Sequence, residues 1–145
     1  MKRLFCAVAG ATLPFLLSQA QAQGTMANLT IKVESVSDKG GDMRVALYTA
    51  DTWEDDNSKP VIDGVVPATA PETIVNLRNI APGTYGLKAF QDFNRNGEFD
   101  FNFLHLPAEK YGFSNDATPA FSDPAFDRAK FTLRPGENTI TIHLR

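Results

Sequence analysis

The chain has 145 residues, with 14 Lys and Arg against 17 Asp and Glu, 11 Phe and a single cysteine. That length holds one domain with a real core and leaves no room for two. No Lys/Arg run or stripe offsets the acidic balance, so nucleic acid is not an expected partner, since neutralising phosphates needs clustered positive charge.

Met1-Lys2-Arg3 is a short basic start, and Leu4 to Leu17 is an apolar run too short to span a bilayer and interrupted by Pro14. Ala20-Gln21-Ala22 then supplies an A-x-A site. This order predicts a secretory signal peptide over residues 1–22 and one mature domain over residues 23–145. The product is expected to be periplasmic or secreted, and not membrane-spanning after processing. Removing Lys2 and Arg3 leaves 12 basic against 17 acidic residues, a net charge of −5. Cys6 leaves with the signal, so the mature chain has no disulfide and no thiol, and its core or a metal must hold it together.

The mature chain reads as β throughout. Leu29, Ile31 and Val33 alternate with Thr30, Lys32 and Glu34, the pattern of a half-buried strand. Ser37 to Asp42 is a turn, and Met43 to Thr49 a second strand with Val45 and Leu47 on one face. A strand interrupted by glycine is expected near Val61 to Val66. Glu72 to Asn79 and Thr84 to Phe90 are two more, joined by Ala81-Pro82-Gly83. Phe131 and Leu133 alternate on one terminal strand, and Ile140, Ile142 and Leu144 on another, with Pro135 to Asn138 turning between them. Six or seven short strands without a helical period predict an all-β, antiparallel two-sheet sandwich of immunoglobulin-like type, with a small closed barrel as the alternative.

Two stretches do not fit that scheme. Asp51 to Ala70 is polar and acidic around Trp53. Phe101 to Asp127 shows no strand alternation, yet all nine mature phenylalanines lie between Phe90 and Phe131. So much apolar surface can offset its ordering entropy, which predicts an ordered Phe-rich cap.

Asp92-Phe93-Asn94-Arg95-Asn96-Gly97-Glu98-Phe99-Asp100 places oxygen side chains at alternate positions and glycine at the sixth. Calcium loops use this spacing, because alternate residues of a tight turn point at one centre and glycine permits the bend. Asp92, Asn94, Asn96 and Asp100 would ligate through side chains and Glu98 through its carbonyl. Phe103 stands where an EF-hand needs a bidentate Glu, so a further ligand would come from Asn102, Glu109, Asp116, Asp123 or Asp127. The alternative is a plain Asn-Gly turn held by Asx hydrogen bonds.

In the cap, Tyr111 and Phe113 with Trp53 could form an aromatic platform for a sugar or peptide, ringed by Glu109 and Asn115. The alternative is that these rings close one end of the core. Catalytic signals are poor. His143 falls on the polar face of the last strand, His105 is isolated in the cap, and Gly112-Phe113-Ser114-Asn115-Asp116 misses the G-x-S-x-G pattern at its last position.

Pro82-Gly83-Thr84-Tyr85, then Asp92 to Asp100, then Pro107-x-Glu109-x-Tyr111-Gly112-Phe113-Ser114-Asn115 together resemble a family of small exported bacterial proteins known only as a domain of unknown function. The resemblance covers nearly the whole mature chain. More distantly, Pro82 to Tyr85 and the D-x-N-x-N-G loop look like prealbumin-like and Cna-B-type sandwich modules. Their D-x-N-x-D-G loops bind calcium, whereas the fifth position here is Asn96. The resemblance implies fold and export and no activity. The function expected from all this is a non-catalytic, calcium-stabilised exported module binding an envelope or extracellular partner. Two alternatives are a hydrolase, acting on glycans through carboxylates at the Phe-rich cap, and a purely structural domain.

Overall fold

The computed structural model describes residues 25–145, so the predicted signal peptide and its cleavage site lie outside the described residues. Eight strands form two layers. β1 (Ala27–Glu34), β4 (Glu72–Ile80) and β8 (Gly136–His143) make a three-stranded sheet in the order β4-β1-β8. β2 (Asp42–Tyr48), β3 (Ile62–Pro67), β5 (Gly83–Asp92) and β6 (Tyr111–Phe113) make the facing sheet in the order β3-β2-β5-β6. β7 (Phe131–Leu133) pairs with the first residues of β5. A one-turn helix α1 (Ala50–Trp53) follows β2, and a second, α2 (Phe126–Ala129), precedes β7.

The alternation read from the sequence is the packing. Leu29, Ile31 and Val33 of β1 and Met43, Val45 and Leu47 of β2 are buried between the sheets, with Val75, Leu77, Leu87 and Ile142. Each such side chain contributes about 1.5–3 kcal/mol by leaving water. Gln91, at an inward position of β5, is wholly buried. Its amide donates to the carbonyls of Ser37 and Gly40 and accepts from the Ser37 N–H, so the β1–β2 turn is sewn to the opposite strand. At the other end of β5, the Tyr85 hydroxyl donates to the Ala81 carbonyl at 2.7 Å, a tyrosine corner that accounts for Pro82-Gly83-Thr84-Tyr85.

The sandwich differs from the expected one in two particulars. The β1–β8 ladder is parallel, with Ala27 opposite Gly136 and Glu34 opposite His143. β7 descends to the end of the molecule where β1 begins, so β8 must run back in the direction of β1. The eighth strand, β6, lies inside the stretch that showed no alternation. Three residues are too few to display a period.

Candidate functional site

The predicted metal loop leaves β5 at its top edge. The Asp92 side chain has no exposed surface. Its Oδ2 accepts from Arg44 Nε at 2.7 Å and from the Gly97 N–H at 2.8 Å, and its Oδ1 accepts from the Asn96 N–H at 3.1 Å. Burial alone would raise its pKa; the Arg44 guanidinium and the two N–H donors outweigh that and hold the carboxyl below the usual carboxylate range. Gly97 turns the chain at φ 82°, the left-handed region that favours glycine. Asn94 Oδ1 accepts from the Asn96 N–H and Asn96 Oδ1 from the Glu98 N–H, while both amide nitrogens donate to the Asp100 carboxylate at 2.7–3.1 Å.

Of the remote carboxylates considered as further ligands, only Glu109 reaches this loop. It is buried and accepts from the N–H groups of Phe93 (2.8 Å) and Asp100 (3.2 Å), clamping both ends of the turn. Asp116 pairs with His143, Asp123 with Lys88, and Asp127 with Lys130. Asn102 caps its own turn. The five predicted ligands are thus gathered in one loop, already cross-linked by Asx bonds. Among the described residues no group of three or more His, Cys, Asp or Glu is placed to share a metal ion. Cation ligation would require the Asn94 and Asn96 amides to turn over, each giving up a backbone N–H, while Asp92 stays committed to Arg44.

The three predicted platform rings stack in sequence, Trp53 to Phe113 at 6.1 Å and Phe113 to Tyr111 at 5.9 Å, but as a core more than as an open platform. Trp53 is wholly buried, its Nε1 donating to the Pro124 carbonyl at 2.7 Å. α1 folds back so that the indole lies on Gly86, where a Cβ would come within 2.5 Å of the ring. Phe113 is buried against Trp53 and Ala129, closing a second core on the outer side of the five-stranded sheet. Asn115, at φ 58°, donates to the Arg128 and Lys130 carbonyls, and buried Ser114 accepts from the Leu87 N–H while donating to the Ala129 carbonyl. The Tyr111-to-Asn115 motif is therefore a staple holding α2 and β7 to the sheet. Of the platform rings, Tyr111 is half-buried at an open space that Phe113, itself buried, also borders.

That open space is a groove of about 840 Å³ along the outer face of the five-stranded sheet. Its floor is made by the outward positions of β2 (Arg44, Ala46, Tyr48), β5 (Lys88, Phe90), β3 (Asp63, Val65) and β6 (Tyr111). One rim is the segment Phe99 to Pro107 and the other Pro119 to Asp123. Aromatic rings run along it edge to face, from Phe101 to Phe99 (5.1 Å), to Phe90 and Tyr111 (both 5.5 Å), and on through Phe113 to Trp53. Lys88 lies 4.9 Å over Tyr48 and 4.8 Å over Trp53, pairs with Asp123 at 2.6 Å and so ties the second rim to the floor. Burial first, then Asp123 and Asp63, raise the Tyr48 phenol above its ordinary value.

Phe90, Phe99, Tyr48 and Lys88 were not singled out by the sequence. The signal was present: Tyr48 and Phe90 are large apolar side chains at the positions that strand alternation assigns to water. Neither histidine is hydrogen-bonded to Ser114, whose hydroxyl is committed to the Leu87 N–H and the Ala129 carbonyl. His143 bridges Asp116 (2.8 Å) and Glu34 (3.0 Å) on the far side, and His105 stands exposed at the tip of the first rim.

Residues 31–141 match a family described as uncharacterized proteins conserved in bacteria, DUF2141. Neither the curated proteins nor the solved structures include a match to this chain.

Proposed function

The chain belongs to that family, DUF2141, and on this premise we propose that its domain is a non-catalytic exported module that holds an apolar envelope or extracellular molecule in the groove on its five-stranded sheet. The observation that carries this is the floor itself, a solvent-facing sheet surface that presents Tyr48, Phe90 and Tyr111, with Phe99 of the first rim packed on it. Its volume of about 840 Å³ lies within the range of roughly 300–1,000 Å³ typical of small-molecule sites. Arg44 and Lys88, the cations of the floor, already answer Asp92 and Asp123. Recognition therefore falls to apolar contact and ring stacking, worth about 0.5–1.5 kcal/mol per aromatic pair beyond area burial.

Nile red, a neutral dye whose emission rises in apolar surroundings, tests it. Saturable binding is expected, and Ala46→Trp, which fills the centre of the floor, should weaken it by about tenfold or more with the fold retained. Binding equal in both chains would overturn the groove as the site.

Calcium is a second component of the proposal, favoured by the convergence of Asn94 and Asn96 on Asp100. A cation bound only by the folded state at tenfold over its Kd adds about 1.4 kcal/mol, and magnesium, needing a smaller octahedral cage, should add less. Asn96→Asp is the sharpest variant. Without metal it should melt lower, since two carboxylates then face each other, and with calcium it should gain more than wild type. A melting temperature unmoved by millimolar calcium in both chains would reduce the loop to an Asn-Gly turn.

A further inference from the structure

The first rim of the groove ends in a turn organised by one side chain. Phe101 pairs with Pro107, and between them Asn102 organises the backbone. Its N–H donates to the Leu106 carbonyl at 2.8 Å, its carbonyl accepts from the His105 N–H at 2.9 Å, and its Oδ1 accepts from the N–H groups of Leu104 (2.8 Å) and Leu106 (3.1 Å). This ordered tip presents apolar side chains to solvent. Phe103 is 90% exposed, Leu104 62%, Phe101 57% and Leu106 56%. Across the groove mouth, Phe121 on the second rim is fully exposed. Residues 101–108 and 117–122 contain no Asp, Glu, Lys or Arg, in a chain with 31 such residues.

We propose that these two rims are a lipid-docking edge, with Phe103, Leu104 and Phe121 entering the surface of a zwitterionic phospholipid bilayer. Three observations select this occupant. A convex tip, rather than a concavity, suits a deformable apolar medium. The tip's N–H groups at residues 102, 104, 105 and 106 are satisfied within the turn, which lowers the cost of moving this backbone from water toward lipid. Charge is missing from the projecting residues 101–108 and 117–122, while the bases of the rims carry Asp100 and Asp123 and the floor carries Arg44, Asp63 and Lys88. Attraction is therefore by burial and not by Coulomb force, and an acidic protein gains nothing from anionic lipid. The groove mouth, lying between the rims, would open at the lipid surface. The docking itself does not depend on what fills the groove.

Sedimentation of the whole chain with phosphatidylcholine vesicles tests this, alongside Phe103→Ser/Leu104→Ser and Ala46→Trp. Both rim side chains are solvent-exposed, so circular dichroism of the double variant should be unchanged. Wild type should sediment equally in low and high salt, and no better when phosphatidylglycerol is included. The double variant should lose about a hundredfold in partitioning, and Ala46→Trp should sediment like wild type. All three chains carry the same residues 1–24, so binding that resides there would survive in the double variant and overturn the proposal. So would salt-sensitive binding that requires phosphatidylglycerol, or a dimer in solution that the double variant dissolves. As a second readout, Phe103→Trp places an indole in water, unlike buried Trp53. Its emission should shift to the blue on adding phosphatidylcholine vesicles, and an unshifted emission would overturn insertion.

Discussion

The sandwich has two outer faces, and they are built for different surroundings. On the three-stranded sheet, Asn28, Thr30, Lys32 and Glu34 of β1 lie beside Glu137, Thr139, Thr141 and His143 of β8. Their contacts are short cross-strand hydrogen bonds, such as Thr30 Oγ1 to Asn76 Oδ1 at 3.0 Å and Asn28 Nδ2 to Glu137 Oε1 at 2.6 Å. That face wants water. On the five-stranded sheet the corresponding positions carry Tyr48, Phe90 and Tyr111, one end is sealed by a second core around Trp53, and the rest is a groove. Both sheets turn an apolar inner face to the shared core, so the core gives no reason for the second outer face to be apolar. A use for that surface does.

The largest expected difference between the faces is energetic. Trp53→Ala should cost about 3–5 kcal/mol, the loss of a buried indole together with the void left over Gly86. Thr30→Ala, at the middle of the wet face, should stay within about 0.5 kcal/mol. Urea denaturation of the two variants checks both, and a Trp53→Ala loss no larger than that of Thr30→Ala would mean the outer cluster is not a core. Next in size is Asp92→Ala, at the top of the groove sheet. It removes an acceptor for Arg44, Gly97 and Asn96 at once and should cost about 2–3 kcal/mol even without metal. For that reason Asp92 is a poor residue on which to test calcium, and Asn96 a better one.

How far the sequence revealed this molecule depended on whether a residue's neighbours along the chain were its neighbours in space. Strands of seven to ten residues announced themselves by alternation, because Leu29, Ile31 and Val33 must share a face whatever they meet. The five loop residues were legible together for the same reason, since a tight turn is local. The remaining partners of the aromatic cluster were not. Trp53 meets Gly86 and Pro124, and Glu109 meets Phe93 and Asp100, through register and crossovers that no window of sequence contains. The Tyr111-to-Asn115 motif stood out by composition, but its work is to hold α2, a partner that only the fold supplies. The groove's residues were overlooked because an apolar side chain on the outward face of a strand reads, in one dimension, as an imperfection in the pattern.

The smallest expected effect belongs to the wet face and is read through pH. As the imidazolium, His143 donates from Nδ1 to Asp116 and from Nε2 to Glu34, at the edge where the Arg145 guanidinium also donates to the Asp116 carbonyl. The hydrogen bond to Asp116 comes first, then the Asp116 charge, and Glu34 adds to both; together they raise the imidazole above its ordinary 6.5. A folded-state pKa above the unfolded value means that the fold prefers the imidazolium. The stabilisation is then fully present below about pH 6.5 and is lost as pH rises through the higher folded value. Comparing melting temperatures of wild type and His143→Gln across that interval isolates the effect, because the Asp116 bond to the residue 143 backbone N–H is kept in both. Wild type should melt higher on the acid side and the gap should close on the alkaline side. The ring is half exposed, so the gap should be small and should shrink further with added salt. A constant gap across the range would show that His143 contributes to this face by its shape and not by its charge.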